Sequence, residues 1–210
     1  MPDSLVNLSC GEFSAQLSSK APVPGGGGAA ALIGSLAAAL ASMATNLTIG
    51  KKKFLPFEED HRRIIAEADV LRLRLLALMD EDAAAFEPLS RTYSLNKDSP
   101  GYAEKLTAAT LNACRAPFEM MACCCKLTVL LEELRGKCSV LLLSDVGCAA
   151  LSARCALESA SMNVFVNTRM IPENEEAAAM SKKADSMLQE YIPRAQTVAD
   201  SVMIYLRRQI

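Results

Sequence analysis

A chain of 210 residues is long enough to bury a sizeable core as one domain, here taken as 1–210. Its 22 basic and 24 acidic residues leave a net charge of −2, which excludes nucleic acid as a bulk electrostatic partner. Hydrophobic residues reach 51% but aromatic ones only 5%, with no tryptophan, so the core must be built from Ala, Leu, Met and Val. That composition favours tightly packed helices over sheets.

The first element is announced by Ser9-Cys10-Gly11-Glu12, a capping box with Leu8 and Phe13 placed to form a hydrophobic staple, and a short helix to about Lys20 follows. Pro22 and Pro24 then stiffen the approach to Gly25, Gly26, Gly27 and Gly28, where the backbone can come close to a neighbour. No charge occurs from Ala29 to Ile49, so a long small-residue helix is expected directly behind the glycines. Free N–H groups at its head would suit an anion or polar ligand. One face of that helix, carrying Ser35, Ser42 and Asn46, is small and polar. Its length would cross a bilayer, yet Ser, Thr and Asn make it a poor span, and a soluble bundle helix is expected instead.

From Pro56 to about Tyr93 the spacing predicts a long amphipathic helix with Ile64, Ala68, Leu71, Leu75, Leu78, Phe86 and Leu89 on its buried stripe. Asp82 falls in the middle of that stripe, while Asp80 and Glu81 turn away by more than a quarter circle. A carboxylate on a core face must be paired, hydrogen-bonded or protonated, and is either a structural contact or a tuned acid–base group. His61, on the early charged turns of the same helix, reads as a solvated residue. Tyr93 to Gly101 is a loop carrying Lys97, with Ser99 as cap and Pro100 as the first residue of a helix that Pro117 should kink and Gly136 end. Ser144-Asp145 opens the next helix, to about Met170, with Asp145, Ser152, Ser159, Asn163 and Asn167 on one small polar side. The last begins after Pro172, should bend at Pro193, and ends at Arg207-Arg208. No segment alternates as a strand does, so the fold class is all-α: a bundle of long helices around a small-residue central one.

Eight cysteines contain no C-x-x-C pair and a single histidine is available, so no metal site is expected. The polar start at Met1 to Ser4 is no signal peptide, which points to reduced thiols in a cytoplasm, serving as small core residues.

With the helices in order, the chain resembles the cyclodeaminase/cyclohydrolase family of one-carbon folate enzymes. The resemblance rests on Pro22 to Gly27, Asn46 to Phe54, Asp80 to Phe86, and Ser144-Asp145 with Asn163 and Asn167. Gly28 stands where the family usually has serine, and Asn96 where it often has proline. The resemblance implies a homodimer acting on a tetrahydrofolate derivative with no metal or cofactor. Methenyltetrahydrofolate cyclohydrolase is the leading expectation, formiminotetrahydrofolate cyclodeaminase the alternative, and a catalytically silent folate-binding or scaffold protein the third reading. It further implies Asp82 and Lys97 as catalytic groups, with Gly25, Gly26, Gly27, Ser42, Asn46, Lys51, Lys52, Asp145, Asn163 and Asn167 contacting substrate.

Overall fold

The computed structural model describes residues 4–208, so the polar start at Met1 to Asp3 lies outside the described residues. Six α-helices carry the fold: α1 (Cys10–Leu17), α2 (Gly26–Asn46), α3 (Glu58–Tyr93), α4 (Tyr102–Lys137), α5 (Leu143–Thr168) and α6 (Glu175–Arg207). Among the described residues there is no β-strand.

Alanines explain how three long helices, α3, α4 and α5, meet around α2. Ala30, Ala31, Ala37, Ala38, Ala41 and Ala44 are at most 1% exposed, and small side chains let neighbouring backbones approach closely. A Cβ on Gly34 would sit 3.2 Å from Leu75 of α3 and 3.4 Å from Ala156 of α5, so α2 is gripped from both sides there. Helix α2 packs between α3 and α5, α5 packs on α6, and α4 lies across the back of the group. The α2 contacts run in reverse register, Gly27 at Asp82 and Ser42 at Asp69, so α2 and α3 are antiparallel. Gly26 at Asn163 and Gly34 at Ala156 show the same for α2 and α5. Gly26–Asn46 and Val140–Thr168 are each long and apolar enough to cross a bilayer, but 61% of the α2 window is buried inside the bundle.

The capping box at Ser9 and Glu12 is formed in both directions, with the Ser9 amide donating to Glu12 Oε2 at 2.8 Å. Other helix ends differ from expectation for local reasons. Helix α2 begins at Gly26, three residues before the alanine run, because the glycines themselves form its first turn with Gly25 as cap. Helix α4 begins only at Tyr102: Gly101 takes the left-handed conformation (φ 77°) at its cap, and Pro100 stays in the preceding turn. At its far end α4 runs past Gly136, because Lys137 is anchored to Asp60 at 2.5 Å and to Glu133 at 2.6 Å. Helix α6 is capped by Asn174, which accepts from the Ala177 amide at 2.9 Å.

Two expectations are corrected. His61 is not solvated: it is 0% exposed, and its Nε2 donates to the Lys137 carbonyl at 2.7 Å. The α4 terminus, drawn down by the Lys137 anchor, covers it. The cysteines are not all core residues either. Cys114, Cys123, Cys124, Cys125 and Cys138 are buried, whereas Cys10, Cys148 and Cys155 are exposed. Burial pushes the Cys114, Cys123 and Cys138 thiols up to about 11, so they stay protonated and unreactive.

Candidate active site

The head of α2 is where sequence and packing converge. Gly25 caps the helix without any side-chain hydrogen bond, and no acidic residue occupies the first turn. The amides of the first turn therefore have no intrahelical carbonyl to bond, and they form the positive end of the helix.

Asp82 projects from α3 onto this turn. A Cβ added to Gly27 would lie 2.3 Å from Asp82 Oδ2 and 2.6 Å from Oδ1 and Cγ, so only a glycine lets the carboxylate rest there. Beside this seat, Met79, which is 2% exposed, and Pro24, also buried, pack against the next glycine, Gly28. A Cβ on Gly28 would meet Pro24 at 3.1 Å and Met79 at 3.6 Å, so the serine usual in the family would press on Pro24 here. Burial pushes the Asp82 carboxyl up to about 6, against an ordinary 3.8. No hydrogen bond to a described residue holds Asp82 and it is only partly buried, so water or a ligand can reach it. A carboxyl that titrates near neutrality, open on one side, can both take and give a proton.

Asparagine side chains from α5 border the other flank. The Asn163 amide lies 3.6 Å from where a Gly26 Cβ would be. Its Nδ2 donates to the Ser159 carbonyl at 2.9 Å, which fixes the group and leaves Oδ1 as an acceptor. Asn167, one helical turn on, donates to the Ala113 carbonyl of α4 at 3.3 Å.

The remaining expected site residues do not join this cluster within one chain. Ser42 donates to Asp69 Oδ1 at 3.1 Å, more than halfway down α2. Asn46, Lys51 and Lys52 are exposed at the opposite end of α2. That helix has 21 residues and so places them ~30 Å from the glycine head. Asp145, at the start of α5, belongs to the same distant end because α5 is antiparallel to α2. Lys97 is exposed in the α3–α4 turn, beyond Tyr93, and the intervening turns of α3 alone rise ~16 Å from Asp82. Met79, which packs against Gly28 next to the Asp82 seat, escaped the sequence reading. The signal was present in the spacing of Met79, Asp82 and Phe86 on one helix face.

Among the described residues no group of three or more His, Cys, Asp and Glu is arranged to hold a metal ion. The fold and the cluster at the α2 head define an all-helical enzyme that presents a raised-pKa carboxylate at a helix N-terminus. A model of the formiminotransferase-cyclodeaminase family matches residues 9–186, and the chain belongs to that family. It is 36% identical over 178 residues to a methenyltetrahydrofolate cyclohydrolase of Methylorubrum extorquens, covering 83% of this chain and 86% of that protein. It is 28% identical over 201 residues to the formimidoyltransferase-cyclodeaminase of Sus scrofa, covering 94% of this chain but 37% of that longer protein. The solved structure of a formiminotetrahydrofolate cyclodeaminase from Thermotoga maritima superposes with a TM-score of 0.81 at 26% identity, covering 94% of this chain and 98% of that one.

Proposed function

We propose that this protein acts on the single carbon attached to N5 of a tetrahydrofolate derivative, and that its reaction is the cyclodeaminase one: 5-formiminotetrahydrofolate closes to the 5,10-methenyl compound and releases ammonia. The observation that carries the reading is Asp82, held bare against Gly27 with its carboxyl raised to about 6. The reaction needs one proton moved between two nitrogens. With the formimino group entering protonated, as the amidinium cation, N10 attacks its carbon, forming the N10–C bond, and the Asp82 carboxylate takes the N10 proton. The resulting carboxylic acid then protonates the exocyclic amine; its C–N bond breaks and ammonia leaves, with the cationic methenyl bridge as product. The regenerated carboxylate stabilises that cation, while Asn163 and Asn167 offer donors and acceptors to the pterin edge. Lys97 is the second candidate proton carrier, reaching the site only if the α3–α4 turn folds toward it. The name borne by the Thermotoga structure, which matches 94% of this chain, supports this direction.

A second reading has its own observation. The Methylorubrum relative, at 36% identity over most of both chains, is a cyclohydrolase. In that direction Asp82 would take a proton from water attacking the methenyl carbon and return it to N5 as the N5–C bond breaks, the hydroxyl proton passing to solvent as the 10-formyl C=O forms. In either direction we place the enzyme in the cytoplasm as a homodimer.

The two are separated by one pair of assays. Ammonia release from 5-formiminotetrahydrofolate, with growth of the methenyl ultraviolet band, supports the cyclodeaminase. Accelerated loss of that band from added methenyltetrahydrofolate, with no ammonia from the formimino compound, assigns the cyclohydrolase. Binding of folate without either turnover would leave a silent binding protein and reject the role given to Asp82.

A further inference from the structure

Asp80 and Asp82 stand on one turn of α3, about 200° apart at roughly 100° per residue, so they face nearly opposite sides of the helix. Asp82 turns to the glycines of α2. Asp80, half-buried, turns to the N-terminal segment instead: its Oδ1 accepts from the Leu5 amide at 2.8 Å and its Oδ2 from the Ser4 hydroxyl. The reaction proposed above makes no use of it. From this latch the chain runs through a short 3-10 turn, Leu5–Asn7, and α1, sinking Leu5 and Phe13 into the core. A second tie follows where Gln16 Nε2 donates to the Val23 carbonyl at 3.1 Å. The next residue, Pro24, is the one an added Cβ on Gly28 would meet at 3.1 Å, and Gly28 adjoins Gly27, the seat of Asp82. The contacts close a circuit that leaves α3 at Asp80 and returns to it at Asp82. The family model matches from residue 9, so the Ser4–Leu5 latch lies outside the matched stretch.

We propose that residues 4–24 form a bracket that holds the glycine head of α2 in place against Asp82, with Asp80 and Gln16 as its positioning residues. The head needs such a hold. Gly26, Gly27 and Gly28 make up its first turn, and glycine loses more conformational freedom in a helix than any other residue. Gly25 caps that turn without a side-chain bond, so no local group pins it. If the turn frays, the carboxylate loses the surface it rests on and water enters from that side. Burial is what raises the Asp82 carboxyl, so its titration reports how closely the seat is kept. A residue that only added stability would leave that titration unchanged in the folded protein. The catalytic consequence rests on the acid–base reading of Asp82; the geometry of the bracket does not.

The test compares Asp80→Ala, Asp80→Asn and Gln16→Ala in the full chain. Asparagine keeps an oxygen for the Leu5 amide and offers an N–H to the Ser4 oxygen, so Asp80→Asn should stay within about 2-fold of wild type in kcat. Asp80→Ala should lower kcat about 10-fold with KM within about 2-fold, because displacing a reacting group acts on the chemical step. Carbon-13 NMR of carboxyl-labelled aspartate, with the Asp82 signal identified by its loss in Asp82→Asn, should give a midpoint near 6 in wild type and Asp80→Asn. In Asp80→Ala it should fall to about 5 or below, toward the ordinary value. The Ala29 amide, bonded to the Gly25 carbonyl at 3.0 Å, should exchange with solvent ~10-fold faster in Asp80→Ala, measured relative to the buried Leu131 amide. Gln16→Ala leaves the latch intact and should move all three readings the same way by less, which decides the matter if Asp80→Ala does not fold. Unmoved titration and exchange in the alanine variants, whatever their stability, overturn the bracket; an Asp80→Asn as impaired as Asp80→Ala overturns the latch. A wild-type Asp82 that titrates at an ordinary carboxylate value, or a fully active Asp82→Asn, rejects the acid–base reading alone, and Ala29 exchange still decides the bracket.

Discussion

Gly27→Ala is the sharpest perturbation available at the α2 head. The added methyl carbon would sit 2.3 Å from Asp82 Oδ2, and the nearest acceptable contact is about 1 Å longer, so the carboxylate must move by roughly that much. Asp82 can rotate outward into the space that makes it accessible, so the helix itself has no reason to unfold. Replacing a helical glycine by alanine gains up to about 1 kcal/mol in backbone entropy, which offsets part of any local strain. The expected result is a fall in kcat of about 100-fold, the scale that a 1 Å misplacement of a reacting group produces, with a change in unfolding free energy within about 1 kcal/mol. Initial rates of ammonia release or of methenyl band loss, set beside urea unfolding of the same preparation, measure both. Gly136→Ala, where an added Cβ meets nothing within 4 Å, serves as the control and should behave as wild type. Unchanged kcat and KM in Gly27→Ala would refute the claim that the carboxylate works from its seat on this glycine.

The raised pKa of Asp82 links function to stability with a definite sign. Its folded value of about 6 exceeds the ordinary 3.8, so the ionised form is what the fold disfavours. The penalty is absent below about pH 4, grows as pH rises toward 6, and is complete above it, at about 2–3 kcal/mol. Asp82→Asn should therefore be more stable than wild type at pH 7.5 by up to that amount and equal to it near pH 3.5, while losing turnover; urea titrations at the two pH values check this. Where Asp82 acts first as a base, wild-type kcat/KM should fall on the acid side with an apparent pKa near 6, a limb readable from a pH–rate profile. His61→Ala should cost about 2–4 kcal/mol in urea unfolding, because it removes the bond to the Lys137 carbonyl and opens a cavity at a fully buried site. With an aromatic disulfide reagent Cys10, Cys148 and Cys155 should react at once, and the five buried thiols only on unfolding.

Local pattern alone determined much of this protein. Helical periodicity identified the helices, the Ser9–Glu12 box was readable because its partners are three residues apart, and Asp82 stood out as a charge on an apolar stripe. Those signals are local, and a helix expresses them wherever it is placed. Contacts between distant segments decided the rest. His61 is buried because Lys137, far along the chain, closes over it, and nothing in its charged neighbourhood records that. The glycines serve as a seat for Asp82, not as a loop before the helix, because α3 brings a carboxylate to Gly27. Polar residues that share one face of α2 or α5 divide between its two ends, since facial periodicity carries no information about distance along an axis. Which end holds the chemistry follows from the antiparallel packing of α2 with α3 and α5, an arrangement that only the assembled bundle can express.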